Sequence, residues 1–185
     1  IREQEEIIFG EFEFEEDYTC QKTEDAISFG EVTLEINPDG GEHVPTDSAR
    51  MVHTPSTLRH LKDIARCIQM AEKSLLVGPT GAAKTSLIRY LAYLTNTNFR
   101  RMNLDNQTDT TELIGEYLPV EGRKGEYYWK HGILVEAMER GEWVLLDEIN
   151  LAQPEILERI NSLLDDDACL VVTEHNNERW IPAAI

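Results

Sequence analysis

Short apolar runs alternate with amphipathic segments along the chain from residue 54 onward. Thr54-Pro55 supplies a helix cap and a first-turn proline, and an apolar stripe at helical spacing follows, which predicts a helix over residues 56–72. Apolar runs predict strands, and apolar residues three and four positions apart predict helices. The predicted strands are Ser74–Val77, Phe99–Leu104 and Trp143–Leu146, and the further predicted helices are Lys84–Leu94, Thr110–Ile114, Ile133–Arg140 and Pro154–Leu164.

This order of elements predicts the α/β class, with a parallel sheet covered by helices on both faces. A hairpin is predicted near the end, from Leu170–Thr173 and Arg179–Ile181. Residues 1–45 differ, because Glu11–Glu15 alternates acidic and aromatic residues and Ile27–Ile36 forms a second strand-like run. We therefore predict a small acidic β-rich appendage over residues 1–45 and an α/β subdomain over residues 50–185. Disorder is the alternative for the first 25 residues.

Composition narrows the classes of function. The 35 acidic and 17 basic residues give a formal net charge of −18, which argues against direct nucleic-acid binding because such surfaces cluster Lys and Arg. No apolar run approaches the ~20 residues of a membrane span, so no membrane association is expected. Cys20, Cys67 and Cys169 are too few and too far apart for a disulfide framework or a metal cluster. An intracellular location is expected.

The segment Gly78–Thr85 lies between a predicted strand and a predicted helix. It matches the phosphate-loop pattern G-x-x-x-x-G-K-[ST] except that Ala83 replaces the second glycine. Helix N-termini present unpaired N–H groups to phosphate, and a plain turn with a surface lysine is the alternative. We predict that Lys84 reaches the outer phosphates of ATP and that Thr85 ligates Mg²⁺. The predicted ATP-binding residues are Gly78, Pro79, Thr80, Gly81, Ala82, Ala83, Lys84, Thr85 and Ser86.

The substitution at Ala83 leaves two possibilities for the loop. If the backbone there is left-handed, the Cβ of alanine costs about 1 kcal/mol or slightly more. If the backbone adopts an ordinary conformation, the alanine costs nothing. Either outcome bears on the tightness of binding rather than on the existence of the site.

Two carboxylates follow the apolar strand that begins at Trp143. Asp147 and Glu148 are predicted to lie at the C-terminal edge of a parallel sheet, where such sheets bind their ligands. Asp147 is the second predicted Mg²⁺ residue, and Glu148 is predicted to orient and deprotonate the attacking water. The strand lies about 60 residues after the phosphate loop, which is the spacing of a Walker A and B pair. Two solvated acids at a strand end are the alternative.

Three segments together, Gly78–Thr85, Trp143–Asn150 and Leu151–Leu164, resemble AAA+ ATPases of the dynein-related, midasin-like and MoxR-like group. The resemblance covers about residues 50–181. Its other motifs are Gly141–Ala152, Asn106–Asp109 followed by Leu113–Gly115, and Lys130–Leu134, and the alanine before the loop lysine is similar to a MoxR-like variant.

The resemblance implies a P-loop NTPase fold and an ATP-driven homo- or pseudo-hexameric ring that remodels protein assemblies. It implies ATP and Mg²⁺ as cofactors and a protein substrate or adaptor as partner, in some members with a metal-binding adhesion domain. It implies a cytoplasmic location, or a nuclear one for a eukaryotic midasin. The family's hairpin insert corresponds to Glu116–His131 and lines the pore or faces a substrate. Local packing of Tyr127, Tyr128 and Trp129 is the alternative.

Several family features do not follow the predicted hairpin: a strand that senses the γ-phosphate, an arginine finger and a helical lid. An arginine finger contributes about 10³–10⁵ in rate, so we expect these residues alone to hydrolyse ATP poorly. In the family's sheet order the next strand lies between Ser74–Val77 and Trp143–Leu146. We therefore expect an incomplete AAA+ large subdomain and a chain that is a piece of a longer protein.

Some residues keep two interpretations. Arg140 and Arg159 either reach a neighbouring subunit's nucleotide or are exposed helix arginines. His53 and Thr54 either begin an adenine pocket or cap a helix. For the whole, ATP hydrolysis by an AAA+ remodeller is the leading hypothesis. A ring module that binds ATP without turnover is the second, and a DNA-translocating or restriction-type motor is disfavoured by the acidic charge.

Overall fold

The computed structural model describes residues 19–46, 51–164, 169–175 and 179–182, so the predicted strand at Glu11–Glu15 lies outside the described residues. A 3₁₀ turn covers Ile149–Leu151. The elements are β1 (Cys20–Lys22), β2 (Ala26–Phe29), β3 (Val32–Glu35), α1 (Pro55–Gln69), α2 (Lys84–Leu94), β4 (Phe99–Asn103), α3 (Thr110–Leu113), β5 (Gly115–Pro119), β6 (Tyr127–His131), α4 (Ile133–Arg140), β7 (Trp143–Asp147), α5 (Pro154–Leu164), β8 (Cys169–Val172) and β9 (Arg179–Pro182).

Strands β1, β2 and β3 form an antiparallel meander that packs on α1 and α2. The predicted run Ile27–Ile36 is two strands, because Gly30 adopts a φ of 60° and turns the chain between them. Alternate residues of the meander enter a core shared with both helices. The buried members of this core are Ile27, Phe29, Val32, Leu34, Leu61, Ala65, Leu87, Tyr90, Leu91 and Leu94.

Polar contacts fix the meander and the segment after it to the rest of the fold. Glu31 pairs with Lys62 at 2.7 Å and also with Arg66. The hydrogen bond from Lys62 is the main reason that the pKa of Glu31 falls to about 2. Further along, the Phe99 amide donates to the carbonyl of His43 at 3.2 Å, so this segment runs beside the edge of β4.

Strands β4 and β7 are parallel, in a register that places Phe99 opposite Trp143 and Asn103 opposite Asp147. Val144 and Leu146 pack into a second core, whereas Trp143 packs against the meander and helix core. The sheet is thus covered on both faces, which confirms the predicted α/β class. The buried residues of the second core are Met102, Leu104, Leu113, Ile114, Leu134, Val135, Met138, Ile156, Ile160, Leu170 and Val172.

The predicted strand at Ser74–Val77 is wrong, since residues 72–79 adopt neither helix nor strand. Leu75 and Val77 are 75% and 85% exposed. A strand needs a neighbour to pair its N–H and C=O groups, and in the described part of the chain no strand lies beside this segment. The apolar run therefore stays unpaired. The hairpin β8–β9 and the helices α1 to α5 form where the pattern predicted them. The hairpin β5–β6 forms where the family resemblance implied one.

A buried acid ties the N-terminal segment to the sheet. The Glu142 side chain is 1% exposed and accepts a hydrogen bond from Arg100 Nε at 2.7 Å. Its other oxygen lies 3.1 Å from Nδ1 of His43. Both oxygens therefore have partners, which is what a buried carboxylate requires.

Removing this carboxylate should destabilise the fold strongly. We expect Glu142→Ala to lower the free energy of unfolding by about 3 kcal/mol, because it leaves the largely buried Arg100 without its closest partner. Chemical denaturation followed by fluorescence measures the change. Glu158→Ala, at an exposed position of α5, is the control and should change stability by less than about 0.5 kcal/mol. Equal effects of the two variants would contradict the structural role of Glu142.

Candidate functional site

The backbone of the loop before α2 is left-handed at two positions. Gly81 has a φ of 82°, and Ala83 has a φ of 58° and a ψ of 18°, both left-handed. Glycine accepts this conformation freely, whereas alanine pays about 1–2 kcal/mol because of its Cβ. Of the two conformations that the sequence allowed at Ala83, the structure therefore has the left-handed, strained one.

The start of α2 presents unused donors. Ala83 caps the helix without a side-chain hydrogen bond. Among the described residues, no backbone carbonyl accepts from the amides of Ala83, Lys84, Thr85 or Ser86. Four N–H groups at one helix end, together with the positive end of the helix dipole, form an environment suited to an anion such as phosphate.

The side chain of Lys84 folds over the loop that precedes it. Its Nζ donates to the carbonyls of Gly78 at 2.8 Å and Pro79 at 2.9 Å. An ammonium group has three N–H donors, so these two contacts leave one for a further acceptor. The lysine therefore holds the loop closed and keeps a positive charge beside the free amides of α2.

The first turn of α2 meets the end of β7 through one hydrogen bond. Thr85 Oγ1 donates to Asp147 Oδ2 at 3.0 Å, although the two residues are 62 positions apart. The parallel register places Asp147 at the last position of β7, at the C-terminal edge of the sheet. The structure thus brings together the predicted phosphate loop and the predicted acidic pair.

Asp147 has a second partner, a cation, that the sequence did not indicate. Arg101 Nε and Nη2 lie 2.9 Å and 2.7 Å from its Oδ2. Burial raises the pKa of the Asp147 carboxyl, but hydrogen bonds from Thr85 and Arg101 outweigh burial, so this pKa lies below its usual value. The carboxylate is therefore ionised at neutral pH.

Glu148 follows with a strained backbone and an exposed side chain. Its φ of 55° is left-handed, and its amide donates to Asp147 Oδ1 at 3.1 Å. A non-glycine residue in this conformation costs of order 1–3 kcal/mol and is typical of functional sites. The turn directs a carboxylate to solvent directly after the Asp147 side chain.

The loops that follow β4 and β7 are fixed to each other. Asp105 Oδ1 accepts from the amides of Gln107 at 2.7 Å and Thr108 at 2.8 Å. These backbone and hydroxyl donors, with Gln107 the largest contributor, lower the pKa of Asp105. Gln153 Nε2 then donates to the carbonyl of Asn106 at 2.5 Å, which joins the start of α5 to the loop after β4.

Comparison with known proteins decides the family. The sequence profile of the AAA domain (dynein-related subfamily) matches residues 73–181, more than half of the chain. The chain belongs to this family. Its α/β fold is accordingly that of a partial P-loop NTPase domain, and the resemblance to AAA+ ATPases of the dynein-related and midasin-like group is confirmed.

Individual relatives agree with this assignment. The chain is 41% identical to Midasin of Dictyostelium discoideum over 135 residues, which are 72% of this chain and 2% of that protein. It is 40% identical to Midasin of Giardia intestinalis over 127 residues, 69% of this chain and 3% of that protein. An uncharacterized protein of Staphylococcus epidermidis is 33% identical over 106 residues, 56% of this chain and 40% of that protein.

The hairpin β5–β6 of the AAA domain has two kinds of aromatic side chain. Trp129 packs against the second core, with its ring 5.0 Å from Tyr117 and 5.2 Å from His175. Tyr127 and Tyr128 are 65% and 49% exposed. Local packing, one of the two interpretations of this segment, therefore applies to Trp129 and not to the two tyrosines.

Other candidate residues of the chain have structural partners. Thr54 caps α1 by accepting from the Thr57 amide at 3.1 Å, and His53 Nε2 lies 2.8 Å from the hydroxyl of Tyr90. Arg159 contacts Glu174, and Arg140 lies 3.8 Å from Glu42. Within the described ranges, no helix has both the length and the apolar composition to cross a membrane.

Because Ala83 is strained and Ala82 is not, we expect glycine substitutions at these two positions to change the free energy of unfolding in opposite directions. Ala83→Gly should raise the free energy of unfolding by about 0.5 kcal/mol, since relief of left-handed strain exceeds the entropy cost of glycine. Ala82→Gly is the matched control and should lower it by about 0.5 kcal/mol, because the backbone of Ala82 has no positive φ to relieve. Urea denaturation measures both. A loss of stability in both variants would show that the left-handed geometry is wrong.

The hairpin gives a second prediction. Trp129→Ala should reduce the free energy of unfolding by about 3 kcal/mol through loss of core packing. The double variant Tyr127→Ala/Tyr128→Ala should change it by less than about 1 kcal/mol, because both side chains are largely exposed. Thermal and chemical unfolding of the three proteins checks this. Destabilisation of the double variant to the level of Trp129→Ala would place the tyrosines in the core.

Proposed function

We propose that this AAA domain binds ATP with Mg²⁺ and hydrolyses it, within a ring that uses the reaction to remodel a protein assembly. The observation that carries the proposal is the 3.0 Å hydrogen bond from Thr85 to Asp147. It joins the anion-binding end of α2 to the carboxylate end of β7. Membership of the AAA family supports nucleotide chemistry at this junction.

In this proposal the backbone of the loop holds the phosphates. The free amides from Ala83 to Ser86 supply donors without a charged side chain. Lys84 exchanges its contacts with the carbonyls of Gly78 and Pro79 for an outer phosphate oxygen. This exchange replaces neutral acceptors by a charged one and is favourable because charge-assisted hydrogen bonds are about twice as strong.

The oxygen atoms of Thr85 and Asp147 fit a magnesium site. The described residues contain no group of three or more His, Cys, Asp or Glu side chains that could hold a metal. A magnesium ion bound with a nucleotide needs only one or two protein oxygens, because phosphates and waters fill its other positions. When bound, the ion neutralises charge on the transferred phosphate. Thr85 would ligate it through a lone pair while still donating its proton to Asp147.

Glu148 is the proposed general base. Its backbone is strained at the residue directly after Asp147, and none of the ion pairs among the described residues includes its carboxylate. A carboxylate in this position orients a water and accepts its proton as the water attacks phosphorus. A module that only bound ATP would not need such a group, so Glu148 favours the enzyme over a non-hydrolysing ring module.

The partner is proposed to be protein rather than nucleic acid. The net charge of −18 opposes binding to a phosphate backbone. Tyr127 and Tyr128 present aromatic surface on the hairpin, which suits contact with a protein substrate or an adaptor. A homo- or pseudo-hexameric ring in the cytoplasm or nucleus is the assembly that the resemblance to the dynein-related and midasin-like group implies, and the family match supports that group.

Two substitutions in the full-length protein separate binding from turnover. Lys84→Ala should weaken ATP binding about 10–100-fold, because a charge-assisted contact is lost. Glu148→Gln should keep ATP affinity within about twofold and lower steady-state turnover about 100-fold or more, because the general base is lost. Fluorescent-nucleotide binding and phosphate release measure the two quantities.

The controls are Lys124→Ala in the hairpin turn and Glu155→Gln on α5, both exposed. Each should retain wild-type binding and turnover. ATP binding without turnover in the wild-type protein would favour the non-hydrolysing ring module. Normal ATP binding by Lys84→Ala would refute the phosphate-loop assignment itself.

A further inference from the structure

One oxygen of the Asp147 carboxylate, Oδ2, has more hydrogen-bond donors around it than it has lone pairs to accept them. Oδ2 receives Thr85 Oγ1 at 3.0 Å, Arg101 Nε at 2.9 Å and Arg101 Nη2 at 2.7 Å. A carboxylate oxygen has two lone pairs, so three donors leave neither lone pair for a metal ion. Oδ1 receives the Glu148 amide at 3.1 Å. A metal ion, or a water bound to it, can therefore reach Oδ2 only if a donor leaves.

Strand register explains why Arg101 reaches this carboxylate. Asn103 lies opposite Asp147 in the parallel pair, so Arg101, two residues earlier, extends from the same face of the sheet. A long side chain bridges this diagonal distance. The contact is therefore built into the pairing of β4 with β7 and does not depend on a flexible loop.

Arg101 is the donor that a metal ion displaces. The hydroxyl of Thr85 can bind a cation through oxygen and still donate its hydrogen to Asp147, whereas a guanidinium has no lone pair to offer. Arg101 also repels a second positive charge at the same oxygen. Its side chain is 53% exposed, so its ion pair is weak and exchangeable.

The displaced guanidinium has space beside the site. An open cavity of about 350 Å³ is lined by Arg101 and Thr85 together with the segment 42–46, Arg89 and Phe99. Glu42 is the one carboxylate among its lining residues. The side chain can thus leave Asp147 without breaking the sheet and find an acceptor in the same cavity.

We propose that Arg101 competes with the divalent cation for Asp147 and thereby sets the magnesium concentration at which this domain binds nucleotide tightly. The proposal rests on the proposed function, since it takes Thr85 and Asp147 as the metal site. Arg101 acts through Asp147 and is a positioning residue rather than a catalytic one. Its effect is on metal affinity and not on nucleotide affinity without metal.

Magnesium titration of the full-length protein tests this. Binding of a fluorescent ATP analogue is measured first in EDTA and then with increasing MgCl₂. Arg101→Gln should lower the half-maximal Mg²⁺ concentration about fivefold, the size expected when a weak exposed ion pair no longer competes. Arg101→Lys, which keeps the charge, should stay within about twofold of wild type. Affinity in EDTA should be the same for all three proteins.

Arg89→Gln is the matched control. Arg89 lines the same cavity, but none of the contacts made by the described residues joins it to Asp147. The half-maximal Mg²⁺ concentration of Arg89→Gln should stay within about twofold of wild type. This result would distinguish competition between Arg101 and the metal ion for Asp147 from a general loss of positive charge. An equal decrease in Arg89→Gln and Arg101→Gln would overturn the proposal.

The remaining outcomes are also decisive. An unchanged or raised Mg²⁺ requirement in Arg101→Gln would overturn the competition, while the nucleotide site would stand on wild-type binding. Weaker binding of the analogue by Arg101→Gln in EDTA as well as in Mg²⁺ would make Arg101 a phosphate ligand or a structural brace, and would overturn it too. Failure of the wild-type protein to bind the analogue at any Mg²⁺ concentration would overturn the proposed function and this inference together.

Discussion

The hydrogen bond from Thr85 to Asp147 is the contact on which the candidate site depends. Thr85 lies in the first turn of α2, which packs in one core with α1 and the meander. Asp147 ends β7, whose Val144 and Leu146 pack in the other core. Neither core alone contains both the free amides of α2 and the carboxylates. Trp143, at the first position of β7, packs toward the core of α2 and so holds the strand against the helix. The site therefore depends on how the two cores pack against each other. Their contact at the site is the hydrogen bond of 3.0 Å from the Thr85 hydroxyl to the Asp147 carboxylate.

The sequence predicted the elements well where one local signal was sufficient. Thr54-Pro55 marks the start of α1, and the apolar run to Asp147 marks β7. It failed at Ser74–Val77, because a strand is defined by its neighbour and not by its own apolar residues. It also missed Arg101, whose contact with Asp147 follows from strand register, a non-local property. The sequence did show polar residues at Arg101 and Asn103, which lie on the same face of a strand. This pattern does not indicate which residue of the neighbouring strand they contact.

Strain is concentrated on both sides of the site. Ala83 and Glu148 have left-handed backbones, and each costs of order 1 kcal/mol or more. The surrounding contacts sustain this cost: Lys84 closes the loop at Gly78 and Pro79, and the amide of Glu148 is bound by Asp147. At Ala83 the strain orients the first amides of α2, and at Glu148 it turns a carboxylate outward. The sequence allowed a left-handed backbone at Ala83 but did not require it, since alanine also adopts right-handed and extended conformations.

Local charge and total charge have opposite signs in this domain. The chain has a net charge of −18, yet Lys84, Arg89 and Arg101 lie around the first turns of α2. At physiological ionic strength, exposed charges are screened beyond about 8 Å, so an anion at the N-terminus of α2 responds to the charge close to it, such as that of Lys84, and not to the net charge of the chain. A long nucleic-acid backbone needs basic surface over a much larger area. An acidic protein can therefore bind a nucleotide while rejecting a polynucleotide, because a nucleotide needs positive charge over only a small area.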